Sequence, residues 1–545
     1  MPRLRSSPRA PISHLAFAGL LLLLLGLVFA TFPDYGMTTD EGVQQRYGNR
    51  LVRFYATLGA DDSALWQNNL YYYGGLFELL AQGARRLSPW GMYETRHLVN
   101  ALFGILGVLA AWGLGSRLAG ATGGLLSALF LALTPRFYGD WFANPKDLPF
   151  ASLYALAAWA ILAAADTLPR LGGRQVIVTG VAIGAAAAVR VPGIVLIAWA
   201  ALLWLGSLAL AQGAASADRK ITGRAWVRTG MALFATSALA WVVMIATWPW
   251  GLVKPFRNPL LAFQKFSNFW DVVTILYEGR PVLRRDLPRD YVLRMLTLTL
   301  PELYPLAFLL GTVGVVLLLR KRRLAAPRLF AVAWLASLAA GPLAWMIVRH
   351  TPLYNGVRHV LFLLPVLAVL AGVSVAAFVR ARPGRLALAA AALALGASAV
   401  VTVVDMVQLH PYQYVYFNRS LAGGLPGAVG RYETDYWCAS FKEGLEWMVR
   451  EYRPASVGPI RVWGRPCAGD PLRYYLGRID TDQRFEPDAY PPHLQLVTTT
   501  TVDQPPAHGR VLHTVLRQGA PLLRLIEVEA PPSGDTGTGP PEGGP

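Results

Sequence analysis

Apolar runs of roughly twenty residues recur along the chain, and short polar or basic stretches separate them. Twenty apolar residues in an α-helix cover a hydrocarbon core of ~30 Å. The runs predict about eleven crossings, over 12–32, 97–114, 122–137, 148–165, 175–188, 194–211, 231–248, 301–319, 329–348, 360–378 and 386–404. The expected fold class is a polytopic α-helical membrane protein. The first run follows Arg3, Arg5 and Arg9 but is longer than a signal-peptide core and lacks a small-x-small cleavage site before Asp34. It reads as a retained first helix.

The polar stretches differ in kind. Arg170 with Arg174, Arg224 with Arg228, Arg320-Lys321-Arg322-Arg323, and Arg380 with Arg382 and Arg385 are compact basic loops. Such loops mark the cytoplasmic side. The other stretches, 33–96, 138–147, 249–300 and 349–359, mix acids, amides and aromatics and fall on the opposite side. This alternation puts residues 1–10 in the cytoplasm and a membrane domain over 11–406. Residues 407–530 become an extracytoplasmic domain. Within loop 33–96, residues 63–87 carry the spacing of an amphipathic interfacial helix.

The part after 407 changes character. A helix pattern over 440–449 and strand-like segments at 460–463, 494–500 and 512–529 predict a small α/β domain. Residues 531–545 are rich in Pro and Gly and read as a disordered tail. The chain's two cysteines, Cys438 and Cys467, both fall in this outer part. A disulfide is permitted there, with two buried free thiols as the alternative.

Composition narrows the function. The chain is 54% hydrophobic and 15% charged, with 50 Lys and Arg against 32 Asp and Glu, a net charge of +18. The basic residues lie between apolar runs, so the excess marks membrane orientation and not nucleic-acid binding. There is no Walker sequence and no strand-borne GxGxxG, which excludes the usual nucleotide sites. Candidate chemistry gathers on the outer side. Asp40 and Glu41 follow the first helix, where a carboxylate can act as a general base. Asp147 and Lys146 adjoin the start of the fourth run, and Asp140 shares their stretch. Arg349, His350, Arg358 and His359 form a basic patch where the positive-inside rule predicts few cations. An anion such as a lipid-linked phosphate would account for them.

The acidic pair Thr39-Asp40-Glu41 after the first helix, the Asp-bearing stretch 138–149, the segment 355–365 and the small outer C-terminal domain together resemble the GT-C membrane glycosyltransferases. The resemblance is to the family 39, protein O-mannosyltransferase-like and aminoarabinose-transferase-like group, and it covers about 20–404. It implies transfer of a sugar from a polyprenyl-phosphate carrier to an extracytoplasmic protein, glycan or lipid, with inversion. It further implies Asp40 as base with Glu41 its neighbour, Asp147 as the second-loop acid, and Lys146, Arg349, His350, Arg358 and His359 near the carrier phosphate. Some members of the group bind a divalent metal ion and others work without one. Such enzymes sit in the bacterial inner membrane. The rival expectations are a secondary transporter or lipid flippase, which needs ionisable groups at the membrane midplane, and a membrane assembly protein, in which Asp40 would be dispensable.

Overall fold

A computed structural model describes residues 10–213, 221–267, 273–323, 325–453, 458–467, 469–499 and 509–528. The expected disordered tail, 531–545, and nearly all of the cytoplasmic N-terminus lie outside the described residues. Among them, nine helices are long and apolar enough to cross a membrane.

The first, α1 (Ala10–Thr31), is followed by α2 (Thr39–Ala56) and α3 (Leu76–Leu87). The single amphipathic helix expected over 63–87 is not formed. Two short 3-10 turns, Ser63–Leu65 and Leu70–Tyr72, precede α3, and the longer helix is α2. The Gly74-Gly75 pair interrupts helical propensity between them.

Next comes α4 (Met92–Ala132), which merges two expected crossings across a break at Gly120, φ 81° and ψ 179°. A Cβ on Gly124 would lie 2.7 Å from the Trp112 carbonyl oxygen. Twelve residues of unbroken helix would separate them by ~18 Å. The chain therefore doubles back at Gly120, in a conformation that glycine adopts without a Cβ penalty. The stretch expected as an outer loop from 138 is instead α5 (Pro135–Ala143), buried along its whole length, with Pro135 in its first turn.

Then follow α6 (Asp147–Ala165), α7 (Gly173–Ala187), α8 (Leu196–Gly213) and α9 (Gly223–Ala246). Of these, α7 has only 15 residues. The segment after α9 holds α10 (Pro249–Val253), α11 (Arg257–Ser267), the hairpin β1 (Thr274–Tyr277) and β2 (Arg280–Leu283), and α12 (Tyr291–Thr299). The remaining membrane helices are α13 (Leu303–Arg320), α14 (Ala326–Arg349), α15 (Leu363–Ala381) and α16 (Arg385–Leu409). Helix α15 packs along α4 and α13, and α6 packs between α4 and α7. The apolar window of α6 is 83% buried and that of α16 only 11%. Helix α6 is thus central, while α16 presents Leu, Val and Ala to lipid.

Beyond α16 the chain makes α17 (Arg419–Ala422), α18 (Gly424–Ala428), α19 (Phe441–Glu451), β3 (Ile460–Arg465), α20 (Asp470–Ile479), β4 (Phe485–Pro487), β5 (Leu494–Thr498), β6 (Gly509–Arg517) and β7 (Ala520–Val528). The sheet order is β4-β3-β5-β7-β6. Strand β3 runs parallel to β4 and β5, and β7 antiparallel to β5 and β6. The α/β domain expected from sequence is present, with one buried apolar cluster that joins Leu445, Val462, Leu496 and Leu523 to Met37 and Ala143 of the membrane part. Cys438 and Cys467 form a disulfide with Cα atoms 6.3 Å apart.

Candidate active site

Four separate segments bring charged side chains to one point. The first is the start of α2. Thr38 has an extended backbone, and its N–H donates to the Glu41 carboxylate at 2.8 Å, while its hydroxyl donates to the same oxygen at 3.1 Å. Both bonds run to the one carboxylate in the first turn and hold the start of the helix in place. Asp40 therefore sits in the first turn, where a carboxylate interacts favourably with the helix dipole.

The second segment is the start of α6. The Asn144 side chain accepts from the Asp147 N–H at 2.9 Å and donates to the Asp147 carboxylate at 3.2 Å. Asp147 also ion-pairs with Arg190, which follows α7, and accepts from Arg358 Nε at 3.1 Å. The stretch after α7 with Arg190 is thus the third segment, and the fourth, the 3-10 turn before α15, carries Arg358. Its Nη2 donates to Asp40 Oδ2 at 2.6 Å. Lys146 Nζ lies 3.5 Å from the same oxygen. Three cations thus meet two carboxylates.

Aromatic rings wall the cluster. Arg358 lies over Trp437 at 4.2 Å and over Tyr354 at 5.6 Å. Lys146 and Arg190 lie over Tyr73 at 4.8 and 5.7 Å. The side chains of Arg358 and Asp147 are 6% and 3% exposed, whereas Asp40 keeps 31%. Asp40 is the carboxylate a solute can reach. Burial pushes its carboxyl up, but the Arg358 and Lys146 charges outweigh that and hold it below the usual range. Deeper in, burial and then the Asp147 charge push Asp140 up to about 8. Burial likewise pushes Glu433 up to about 8. His359 is held down to about 3 by burial and by Arg358, so it is neutral at physiological pH.

The structure assembles Asp40, Lys146, Asp147, Arg358 and His359 from the expected set. It places Glu41 elsewhere: its partners are Thr38 and His97, the latter at 3.2 Å, and it is fully buried. His350 turns to the Leu287 carbonyl at 2.6 Å, and Arg349 lies exposed over Trp345 at 5.7 Å. One feature separates them from Arg358. Helix α14 ends at a left-handed residue, His350, and the seven residues between it and Arg358 turn away. Arg190, Tyr73, Tyr354 and Trp437 were not expected. Arg190 did carry a signal, as a lone arginine on an outer turn against the positive-inside bias. Tyr73 and Tyr354 lay inside the polar stretches 33–96 and 349–359, but nothing local showed that they or Trp437 would wall the cluster.

Among the described residues no three His, Cys, Asp or Glu side chains gather to hold a metal ion. Asp40 and Asp147 already carry guanidinium partners.

A multi-span helical membrane protein with three cations and two carboxylates gathered where several helix ends meet is the class these features define. Residues 94–250 match the family described as Dolichyl-phosphate-mannose-protein mannosyltransferase. The matched segment contains Lys146, Asp147 and Arg190. ArnT from Cupriavidus metallidurans in the apo state is similar in structure, with TM-score 0.48, 17% identity, and coverage of 94% of this chain and 98% of that one. The same protein bound to undecaprenyl phosphate gives TM-score 0.47 and 15% identity over 95% and 98% of the two chains. The archaeal oligosaccharyltransferase AglB from Archaeoglobus fulgidus, in complex with an inhibitory peptide and a dolichol-phosphate, gives TM-score 0.40 and 15% identity over 72% of this chain and 54% of that one. No curated protein matches the sequence.

Proposed function

We propose that the chain transfers a sugar from a polyprenyl-phosphate carrier to an acceptor at the outer face of a bacterial inner membrane. The N-terminus then lies in the cytoplasm and the C-terminal domain outside. The observation that carries the reading is the open carboxylate of Asp40 held beside two cations, Arg358 at 2.6 Å and Lys146 at 3.5 Å. The mannosyltransferase-family match over 94–250 supports it.

In this mechanism the carrier phosphate meets Lys146 and Arg358, with Arg190 behind. An acceptor oxygen bonds to the anomeric carbon as the bond from that carbon to the phosphate oxygen breaks. The acceptor proton passes to Asp40, and the polyprenyl monophosphate leaves with the electron pair. A low-lying carboxylate is ionised throughout the physiological range and takes the proton late, as the oxygen becomes acidic on bonding. Fixed cations in a partly dry site stabilise the leaving phosphate more strongly than water does. Arg358 bridges Asp40 and Asp147, so Asp147 serves to orient that arginine. Glu41, by its placement, supports the helix carrying Asp40, and Arg349 and His350 act at the surrounding surface.

Purified protein in proteoliposomes, given a panel of radiolabelled polyprenyl-phosphate sugars with native membrane and periplasmic extract, tests the reading. Label should move to an acceptor with intact protein and not with Asp40→Asn. Turnover of no donor by folded, inserted protein would overturn it and favour a transporter or an assembly protein.

A further inference from the structure

The sequence 432–437, Tyr-Glu-Thr-Asp-Tyr-Trp, belongs to the outer domain, yet it contacts Arg358 directly and the backbone next to Asp40. The Trp437 ring lies 4.2 Å from the Arg358 guanidinium carbon. Its backbone carbonyl accepts from the Thr39 N–H at 3.2 Å, one residue before Asp40. Glu433 accepts from the Asn355 N–H at 2.9 Å, three residues before Arg358. Trp437 is 1% exposed, and its indole N–H has no acceptor among the described residues. Hydrogen bonding by the ring therefore does not account for its placement.

The turn that presents Trp437 is itself rigid. Asp435 is fully buried and accepts from the Tyr414 and Ser440 hydroxyls, and from the Ala439 and Ser440 N–H groups at 3.1 and 3.2 Å. Cys438 follows with φ 54° and is tied to Cys467. The link between α1 and α2 presses on the same turn, since a Cβ on Gly36 would lie 2.1 Å from the Ala439 carbonyl oxygen. On the next helix of the outer domain, the Tyr475 hydroxyl accepts from the Met37 N–H at 2.6 Å. An aromatic face over a desolvated guanidinium attracts it through the ring quadrupole and favours one plane of the fork. A fork fixed in plane keeps Nη2 on Asp40 and Nε on Asp147 at once.

We infer that Trp437 is a positioning residue, through which the outer domain sets the spacing of Asp40 and Arg358. Its role in transfer rests on the proposed function, but the geometric claim does not. Asp40 faces Arg358 and Lys146, which favour its charge, and Asp147, which opposes it. Loss of the ring frees the Arg358 fork, and Asp40 then protonates at higher pH.

Carbodiimide labels protonated carboxyls, so the pH dependence of Asp40 labelling, read by peptide mass spectrometry on the full-length protein, reports this directly. Trp437→Ala should raise the labelling midpoint by about one pH unit, a tenfold change in the protonation equilibrium. Trp437→Leu, which fills more of the space without a π face, should do the same and serves if the alanine variant does not fold. Trp437→Phe should restore the native midpoint. Midpoints equal to the native one in folded, disulfide-bonded Trp437→Leu would overturn the inference. If the transfer assay fails for intact protein while the midpoint moves as stated, the proposed function falls and the positioning role stands.

Discussion

Two arginine–carboxylate pairs flank α2 and are built differently. Arg96 grips Glu78 with two parallel hydrogen bonds, 2.7 and 3.0 Å, and their side chains are 2% and 9% exposed. Arg358 instead divides its fork between Asp40 and Asp147, and Asp40 stays 31% exposed. The closed pair occupies both guanidinium ends with one carboxylate and joins α3 to the start of α4. The open pair spreads one cation over two acids, with Lys146 and Arg190 alongside, and leaves positive charge for an incoming anion. The lesson is that burial and pairing alone do not mark a site; what marks it is an unclosed arrangement reachable from outside.

The sharpest way to break this comparison is to remove one member of each pair. Arg358→Ala and Asp40→Asn should each lower transfer by roughly a thousandfold, the scale of losing a positioned base or charge stabiliser, measured as initial rate in proteoliposomes. Arg96→Ala should leave a buried acid unpaired and cost about 3–5 kcal/mol of stability. The check is denaturant unfolding in detergent, with the folded fraction keeping its rate constant. Equal loss of transfer per folded molecule in both would erase the distinction.

A smaller effect concerns the outer domain. Cys438→Ser with Cys467→Ser opens a loop of 29-residue separation, and should lower the stability of that domain by about 3.6 kcal/mol on the chain-entropy account. Hydrogen exchange resolved by peptide should show the loss in α19, α20 and β3 and little in α6.

Asp140 sharpens the comparison by pH. Its carboxyl is pushed up to about 8, first by burial and then by Asp147, with Arg136 and Arg358 opposing. A carboxyl raised on folding contributes stability below its unfolded value near 4, and that contribution is lost as pH rises to about 8. Thermal unfolding of the native protein should therefore weaken from pH 5 to 8, and Asp140→Asn should flatten that slope. An unchanged slope would place the charge elsewhere. Smallest of all, Arg349→Ala should alter stability by less than about 0.5 kcal/mol and transfer by less than twofold, because its guanidinium lies over Trp345 at an exposed surface.

Much of the fold was legible in the chain. Apolar runs report membrane helices because a backbone in lipid must satisfy its own hydrogen bonds, and α6, α13 and α15 fall within three residues of where the runs placed them, while α9 starts eight residues early and takes in Arg224 and Arg228, expected in a loop. Segments between runs were less legible. Helix α2 has few apolar residues, and its buried face includes Glu41, Gln44, Gly42 and Gly48, so no apolar stripe announced it. The buried helix α5 read as a polar loop because its Arg136 and Asp140 look like surface residues until the outer domain covers them.

By itself the sequence determined the helical membrane class, a C-terminal α/β domain carrying both cysteines, and the polar stretches that include Asp40, Lys146, Asp147 and Arg358. Local pattern suffices there, since hydrophobic length and charge between runs act residue by residue. Only the tertiary structure decided that Arg190 and Trp437 join the cluster, that Arg349 and His350 stand apart, and that Glu41 supports a helix start. Those outcomes depend on which helix ends meet across the bundle. A guanidinium's partners are set by distances of a few ångströms between segments separated by hundreds of residues, as Asp40 and Arg358 are.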